Sequence, residues 1–118
     1  MTKQETFNTV CEHLMKQGCK SEATDNEVGC LYRGPNGTKC AAGVLIPDEA
    51  YSHRLEGLSA DASEVRNVLR VIGHDVELVS DLQGVHDSYE LGDWPERLRL
   101  VARRYGLEIP ACIAEVSP

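Results

Sequence analysis

A chain of 118 residues, of which 42% are hydrophobic and 26% are charged, has the size and composition of a globular protein, and we expect a single domain over residues 1–118. No apolar run approaches the roughly 18 residues needed to cross a bilayer, and residues 1–18 lack the apolar centre of a secretory signal, so we expect a cytoplasmic protein and no membrane association. The net charge of −7 disfavours direct nucleic-acid binding, because phosphate contacts require clustered Lys and Arg.

The first predicted helix begins close to the N-terminus. Thr2 and Glu5 have the spacing of a capping box, and Gly18 is a typical C-terminal stop. One apolar stripe lies between these signals and consists of Phe7, Val10, Cys11, Leu14 and Met15. We therefore expect Cys11 to be a core side chain.

The next predicted element is a β-hairpin from Val28 to Cys40. The segment VGCLY is rich in strand-forming residues, RGPNG supplies Pro and Asn-Gly at turn positions, and TKCA returns beside the first strand. Such a hairpin would place Cys30 near Cys40. A buried helical turn is expected over AAGVLI, and a short helix is expected to begin at Pro47 and Asp48.

Three further helices are predicted in the second half of the chain. Their cap and stop residues are Ser63 and Gly73 for the first, Asp75 for the second, and Asp93, Glu96 and Gly106 for the third. Gly84 weakens the second of these helices, and Trp94 is expected to anchor the third in the core. We expect the C-terminal segment to be extended, with Cys112 as a small apolar contact. The predicted fold class is α+β, an α-rich single domain with about four main helices and one short β-hairpin.

The five cysteines, an odd number without a secretory signal, suggest free thiols in a reducing compartment. The chain has no C-x-x-C spacing, so the usual paired zinc-binding pattern is absent. We therefore expect no metal and no cofactor. A zinc site is an alternative, with Cys30, Cys40 and His86 as ligands and His53 or His74 as the fourth. The ten residues from Cys30 to Cys40 exceed the usual spacing of a zinc knuckle.

Cys40, at the start of a predicted helix, is also a candidate nucleophile. A helix N-terminus favours the thiolate form, an imidazole such as that of His86 can remove the proton, and a carboxylate can orient the imidazole. Adjacent side chains on a helix point about 100° apart, so we expect Asp48 or Glu56, rather than Asp87, to orient His86. The hypothesis is a small Cys-His thiol hydrolase or transferase with Cys40, His86 and Asp48 as catalytic residues.

A structural role for His86 competes with this hypothesis. His86 lies four residues after Leu82 and seven after Val79, at the edge of an apolar stripe. A histidine in such a place commonly makes a buried hydrogen bond to the backbone of a loop. The predicted hairpin and the LEG loop at residues 55–57 are the expected neighbours.

The negative charge is concentrated in the middle of the chain. Residues 48–93 carry eleven acidic and three basic side chains, whereas the rest of the chain carries eight and nine. Five acidic residues lie mostly off the apolar stripes and are the candidate binding residues: Asp61, Glu64, Glu77, Asp81 and Glu90. An anionic surface of this kind predicts a protein partner with a basic surface.

Four stretches of the chain resemble small proteins that are encoded by bacteriophages and prophages. They are CLYRGPNGTKCAAGVLIPDEAY at 30–51, LEG at 55–57, SDLQGVHD at 80–87, and Trp94 followed by LRLVARRYGL. The resemblance implies a mobile-element origin but no particular reaction. Together with the acidic surface, it favours a protein that binds a host protein stoichiometrically in the host cytoplasm, as an anti-defence inhibitor.

Overall fold

The computed structural model describes residues 2–21 and 31–114, and every regular element in these ranges is helical. The α-helices in these ranges are α1 (Lys3–Gln17), α2 (Ala41–Leu45), α3 (Ser63–Ile72), α4 (Val76–Ser88), α5 (Trp94–Tyr105) and α6 (Ala111–Ala114). Short 3-10 turns occur at Pro35–Gly37, Asp48–Ala50, His53–Leu55 and Leu91–Asp93. The described residues form an all-α fold, so the predicted α+β class is wrong.

The predicted β-hairpin is not formed by residues 31–40, and its first part, residues 28–30, lies outside the described residues. One backbone hydrogen bond crosses the turn, from the N–H of Gly34 to the carbonyl of Thr38 at 2.8 Å, but several other backbone donors of the segment bind side chains from elsewhere. The N–H groups of Tyr32 and Arg33 donate to the carboxylate of Glu56 at 2.9 and 3.2 Å. The N–H group of Lys39 donates to the side-chain oxygen of Gln17 at 2.8 Å. Because these groups are already satisfied, the segment folds as a loop.

The four main helices that were predicted correspond to α1, α3, α4 and α5. At α1 the capping box is present: Thr2 Oγ1 accepts from the N–H of Glu5 at 3.1 Å, and the Glu5 carboxylate accepts from the N–H of Thr2 at 2.9 Å. The hydrogen bond from the Thr2 backbone lowers the pKa of Glu5. Asp75 caps α4 as predicted, accepting from the N–H of Leu78 at 2.9 Å.

Three other local predictions are wrong in whole or in part. Ser63 is the first residue of α3, and the cap position is occupied by Ala62. Asp93 occupies the N-cap position of α5 as predicted, but its side chain makes no capping hydrogen bond, because the turn Leu91–Asp93 is already helical in conformation and leads directly into α5. The C-terminal segment contains α6 instead of an extended chain, although Cys112 does pack against the core.

Helix α4 is the centre of the fold and contacts α1, α2, α3 and α5. Leu78 and Leu82 of α4 belong to one core cluster with the largest buried side chains of the other elements, which include Phe7, Leu14, Tyr32, Ile46, Leu69, Trp94, Leu98 and Ile113. Trp94 is 1% exposed and its indole N–H donates to the carbonyl of Tyr89 at 3.1 Å, which confirms its predicted anchoring role. No helix in residues 2–21 and 31–114 is long and apolar enough to span a membrane.

Helix α2 packs directly on the backbone of the loop at Tyr32. A Cβ atom on Gly43 would overlap the carbonyl group of Tyr32, so the close approach requires glycine at this position. The Tyr32 side chain is buried and its hydroxyl donates to the carbonyl of Leu58. These contacts hold α2 against the loop and place Cys40 at the N-terminus of the helix.

Candidate functional site

Cys40, the candidate nucleophile, is the N-cap residue of α2 and its side chain is fully buried. Its sulfur accepts a hydrogen bond from the N–H of Gly43 at 3.4 Å. In the described part of the chain, no hydrogen bond joins Cys40 to His86. The thiol therefore acts as a helix cap inside the core, without the partly exposed surroundings that are typical of a reactive cysteine.

His86 is fully buried and uses both of its ring nitrogens. Nε2 accepts a hydrogen bond from the N–H of Ser21 at 3.0 Å, and Nδ1 lies 2.8 Å from Oδ1 of Asp87. Because a backbone N–H can only donate, the neutral ring carries its proton on Nδ1, facing the carboxylate. The predicted buried bond to a loop backbone is confirmed, although the loop follows α1 and is neither of the two that were expected.

Gln83 and Asp87 extend His86 into a polar network that was not predicted from the sequence. The side-chain N–H of Gln83 donates to Oδ1 of Asp87 at 2.8 Å, and its side-chain oxygen accepts from the N–H of Ala42 at 2.9 Å. This polar network, comprising Ser21, Ala42, Gln83, His86 and Asp87, joins the loop after α1 to the first turn of α2 through α4. The available signal was the four-residue spacing of Gln83 and Asp87, which favours a side-chain hydrogen bond on a helix.

The expectation that Asp87 does not orient His86 is wrong. Gln83 lies one turn before Asp87 and donates to the same carboxylate oxygen that faces Nδ1 of His86, so the carboxylate is held towards the ring. Asp48 lies elsewhere: its side chain is 87% exposed and pairs with Arg33 at 2.6 Å. The structure therefore does not bring Asp48 to His86, and the predicted set of three catalytic residues is not assembled.

The residues considered for a zinc site are engaged with other groups or lie outside the described residues, as Cys30 does. Nδ1 of His74 lies 2.8 Å from Oγ1 of Thr6, and burial lowers the pKa of His74. His53 is exposed and contacts Tyr51 edge-on, with 5.9 Å between ring centroids. Within residues 2–21 and 31–114, no group of three or more His, Cys, Asp or Glu side chains is placed to hold a metal ion.

Two of the candidate binding residues, Asp61 and Glu77, meet at Arg66. The Arg66 guanidinium lies 3.4 Å from each carboxylate, and the hydroxyl of Ser80 donates to Asp61 at 2.9 Å. The side chains of Asp61 and Glu77 are 64% and 71% exposed, so these ion pairs are solvated and weak. One arginine between two carboxylates leaves this surface with a net negative charge. We name it the acidic face, and it consists of Asp61, Arg66 and Glu77.

The other three candidate binding residues are separate from the acidic face. Asp81 accepts from the hydroxyl of Tyr105 at 2.6 Å and lies 3.3 Å from Arg104, so it belongs to the packing between α4 and α5. Burial and the hydrogen bond to Asp81 raise the pKa of Tyr105. Glu64 and Glu90 are exposed, and in the described part of the chain neither forms an ion pair with Arg66.

Comparison of the chain with protein-family models, with curated proteins and with solved structures gives no match. The resemblance to proteins encoded by bacteriophages therefore stays a prediction.

Proposed function

We propose that this protein acts by stoichiometric binding to a protein of a bacterial host rather than by catalysis. The acidic face supplies a contact surface, and its complement is a basic groove or patch on the partner. A phage-encoded protein of this kind would act in the host cytoplasm and inhibit a defence complex by covering the basic surface on which that complex depends.

The observation that supports this proposal is a difference in exposure. Cys40 and His86 are fully buried and hydrogen-bonded, whereas Asp61, Glu64 and Glu77 are exposed to solvent. A thiol nucleophile must reach its substrate, but a binding surface needs only to be presented to its partner. Residues 48–93 carry eleven acidic against three basic side chains, so the exposed charge in this part of the chain suits a cationic partner.

A charge-reversal experiment tests the proposal. Wild-type protein and the Asp61→Lys/Glu77→Lys variant, which reverses both carboxylates of the acidic face, are immobilised and exposed to a host lysate, and each retained protein is then purified and titrated. We expect one host protein to bind the wild type at a one-to-one ratio. Its association rate should fall about tenfold with the variant, because opposite charges steer the encounter. Raising the salt concentration above about 0.15 M, where the Debye length falls below about 8 Å, should weaken the complex further.

The matched control is the Glu12→Lys/Glu108→Lys variant, which changes the net charge equally at exposed positions outside the acidic face. Circular dichroism and thermal unfolding establish that each variant folds. If both double variants bind the partner as the wild type does, the acidic face is not the contact surface. If substoichiometric protein inactivates its target, binding is not the mechanism and catalysis replaces it.

The hydrogen bond between His86 and Asp87 favours a second candidate function, the Cys-His thiol hydrolase or transferase. Thiol labelling separates the two candidates. Because Cys19 is exposed and Cys40 is buried, iodoacetamide should modify Cys19 and leave Cys40 in the folded protein unmodified. Burial also raises the pKa of Cys11, so Cys11 should remain unmodified as well. Rapid modification of Cys40 that His86→Asn abolishes would support the enzyme instead.

A further inference from the structure

Helices α4 and α5 form a groove of about 390 Å³ that shares no residue with the polar network or with the acidic face, although Ser80 at one end of it donates to Asp61. Its lining residues run from Ser80 to Ser88 on α4 and from Arg97 to Arg104 on α5. At 1.5 Å of rise per residue, this α4–α5 groove is about 12 Å long, which corresponds to two turns of a helix. Its surface combines apolar side chains with two arginines, so it has the mixed character of a binding groove.

Gly84 lies in the α4–α5 groove, in the middle of α4. Glycine is among the least favourable residues in a helix interior, so its presence there needs a reason. Apart from its own helix backbone and its two chain neighbours, a Cβ atom at this position would have no heavy atom of the described residues within 4 Å, so packing among these residues does not require glycine. The missing side chain leaves room for a group that comes from outside the chain.

Arg97 presents an oriented cation to the same groove. Its guanidinium stacks on the ring of Tyr89, with 4.2 Å between the guanidinium carbon and the ring centroid. Across residues 2–21 and 31–114, Arg97 forms no ion pair with a carboxylate. Arg104, at the other end of the groove, is already paired with Asp81 at 3.3 Å. A planar guanidinium that is oriented but unpaired is well suited to receive a carboxylate.

The apolar part of the groove is partly open to water. Leu100 is 43% exposed, whereas Val85 and Val101 beside it in the groove are buried. A partner group that covers Leu100 would remove apolar surface from water, which is the main driving force of association. The groove therefore offers an apolar contact and a cationic contact about one helical turn apart on α5, at Leu100 and Arg97.

From these features we infer that the α4–α5 groove binds a short amphipathic helix of a protein partner. The helix lays an apolar side chain over Gly84 and Leu100, and a carboxylate one turn away pairs with Arg97. The length of the groove matches two turns of such a helix. The net charge of −7 does not prevent this contact, because charges farther apart than about 8 Å are largely screened at physiological ionic strength.

A displayed library of peptides on a helical scaffold tests the inference. The peptides are randomised over about twelve residues, enough for three helical turns. We expect the enriched peptides to share an acidic residue three or four positions from a large apolar residue, and to compete with one another for the wild-type protein. Arg97→Gln should weaken their binding about tenfold. Arg103→Gln, at an exposed position on α5 outside the groove, is the matched control and should leave the affinity unchanged.

A second variant tests the groove without removing a charge. Gly84→Leu should abolish peptide binding and raise the melting temperature, because leucine favours the helix and no atom of the described residues opposes its Cβ. The inference is overturned if no peptide is enriched, or if the enriched peptides bind the Gly84→Leu and Arg97→Gln variants as tightly as the wild type. The Asp61→Lys/Glu77→Lys variant should bind the peptides normally, because neither residue lines the groove, so failure of the groove and failure of the acidic face are distinguishable.

Discussion

The two sides of α4 use their polar residues differently. On the inner side, Gln83 and His86 are buried and hydrogen-bonded to α2 and to the loop after α1. On the outer side, Glu77 is exposed and pairs weakly with Arg66, and Gly84 lines an open groove. The difference shows that burial decides what a polar residue does. A buried polar group is costly without its partner and so specifies the fold, whereas an exposed one remains available for binding.

The largest effect is expected from breaking the inner side at His86. His86→Ala leaves the N–H of Ser21 without its acceptor and opens a cavity, so we expect the free energy of unfolding to fall by about 3 kcal/mol. Urea unfolding followed by circular dichroism measures the change. His53→Ala, at an exposed histidine, is the control and should change stability by less than about 0.5 kcal/mol. Equal losses in the two variants would show that the polar network does not specify the fold.

A smaller effect is expected at Gln83, the link between α4 and α2. Gln83→Met keeps most of the volume but removes the acceptor of the Ala42 N–H, and should cost about 1 to 2 kcal/mol. Hydrogen exchange at the Ala42 amide should accelerate by more than global destabilisation explains. Ser80→Ala, on the outer side of α4, is the control and should leave that amide protected. Unchanged exchange at Ala42 in the Gln83→Met variant would contradict the assigned bond.

On the outer side, Gly84→Ala should stabilise the protein. Alanine improves the helix propensity of α4 by up to about 1 kcal/mol, and its methyl group would meet open space. Gly43→Ala is the informative contrast, because the same methyl group would overlap the carbonyl of Tyr32 and should destabilise the fold. Thermal unfolding measures both effects: the melting temperature should rise for Gly84→Ala and fall for Gly43→Ala. A destabilised Gly84→Ala variant would mean that the groove is closed by contacts within the chain.

The smallest effect is expected from the ion pair on the acidic face. A double-mutant cycle with Glu77→Gln and Arg66→Gln should give a coupling energy below about 0.5 kcal/mol, because the carboxylate is largely solvated. Unfolding measurements at low salt and at about 1 M salt, where the Debye length is near 3 Å, should show the coupling disappear. A coupling energy above about 1 kcal/mol that persists at high salt would show that this ion pair contributes substantially to the stability of the folded protein.

Most of the helical architecture could be predicted because its signals are local. The capping box of Thr2 and Glu5, the left-handed Gly18 and the Asp75 cap each act within about four residues of the helix end that they specify. The burial of Cys11 and Trp94 also followed from their positions in the sequence. A local signal failed where a neighbouring turn changed the backbone conformation. The side chain of Asp93 was predicted to cap α5, but Asp93 is already helical before α5 begins.

By itself, the sequence determined where the main helices lie and that the middle of the chain is acidic, since helix signals are local and charge is a sum over residues. Only the tertiary structure decided the rest. The segment RGPNG has hairpin signals, but Glu56, more than twenty residues away, binds the N–H groups of Tyr32 and Arg33 and keeps the segment a loop. Likewise, the donor that binds Nε2 of His86 is the N–H of Ser21, which lies 65 positions earlier in the chain. Such partners are chosen by packing, because a buried polar group accepts whichever donor the fold brings to it.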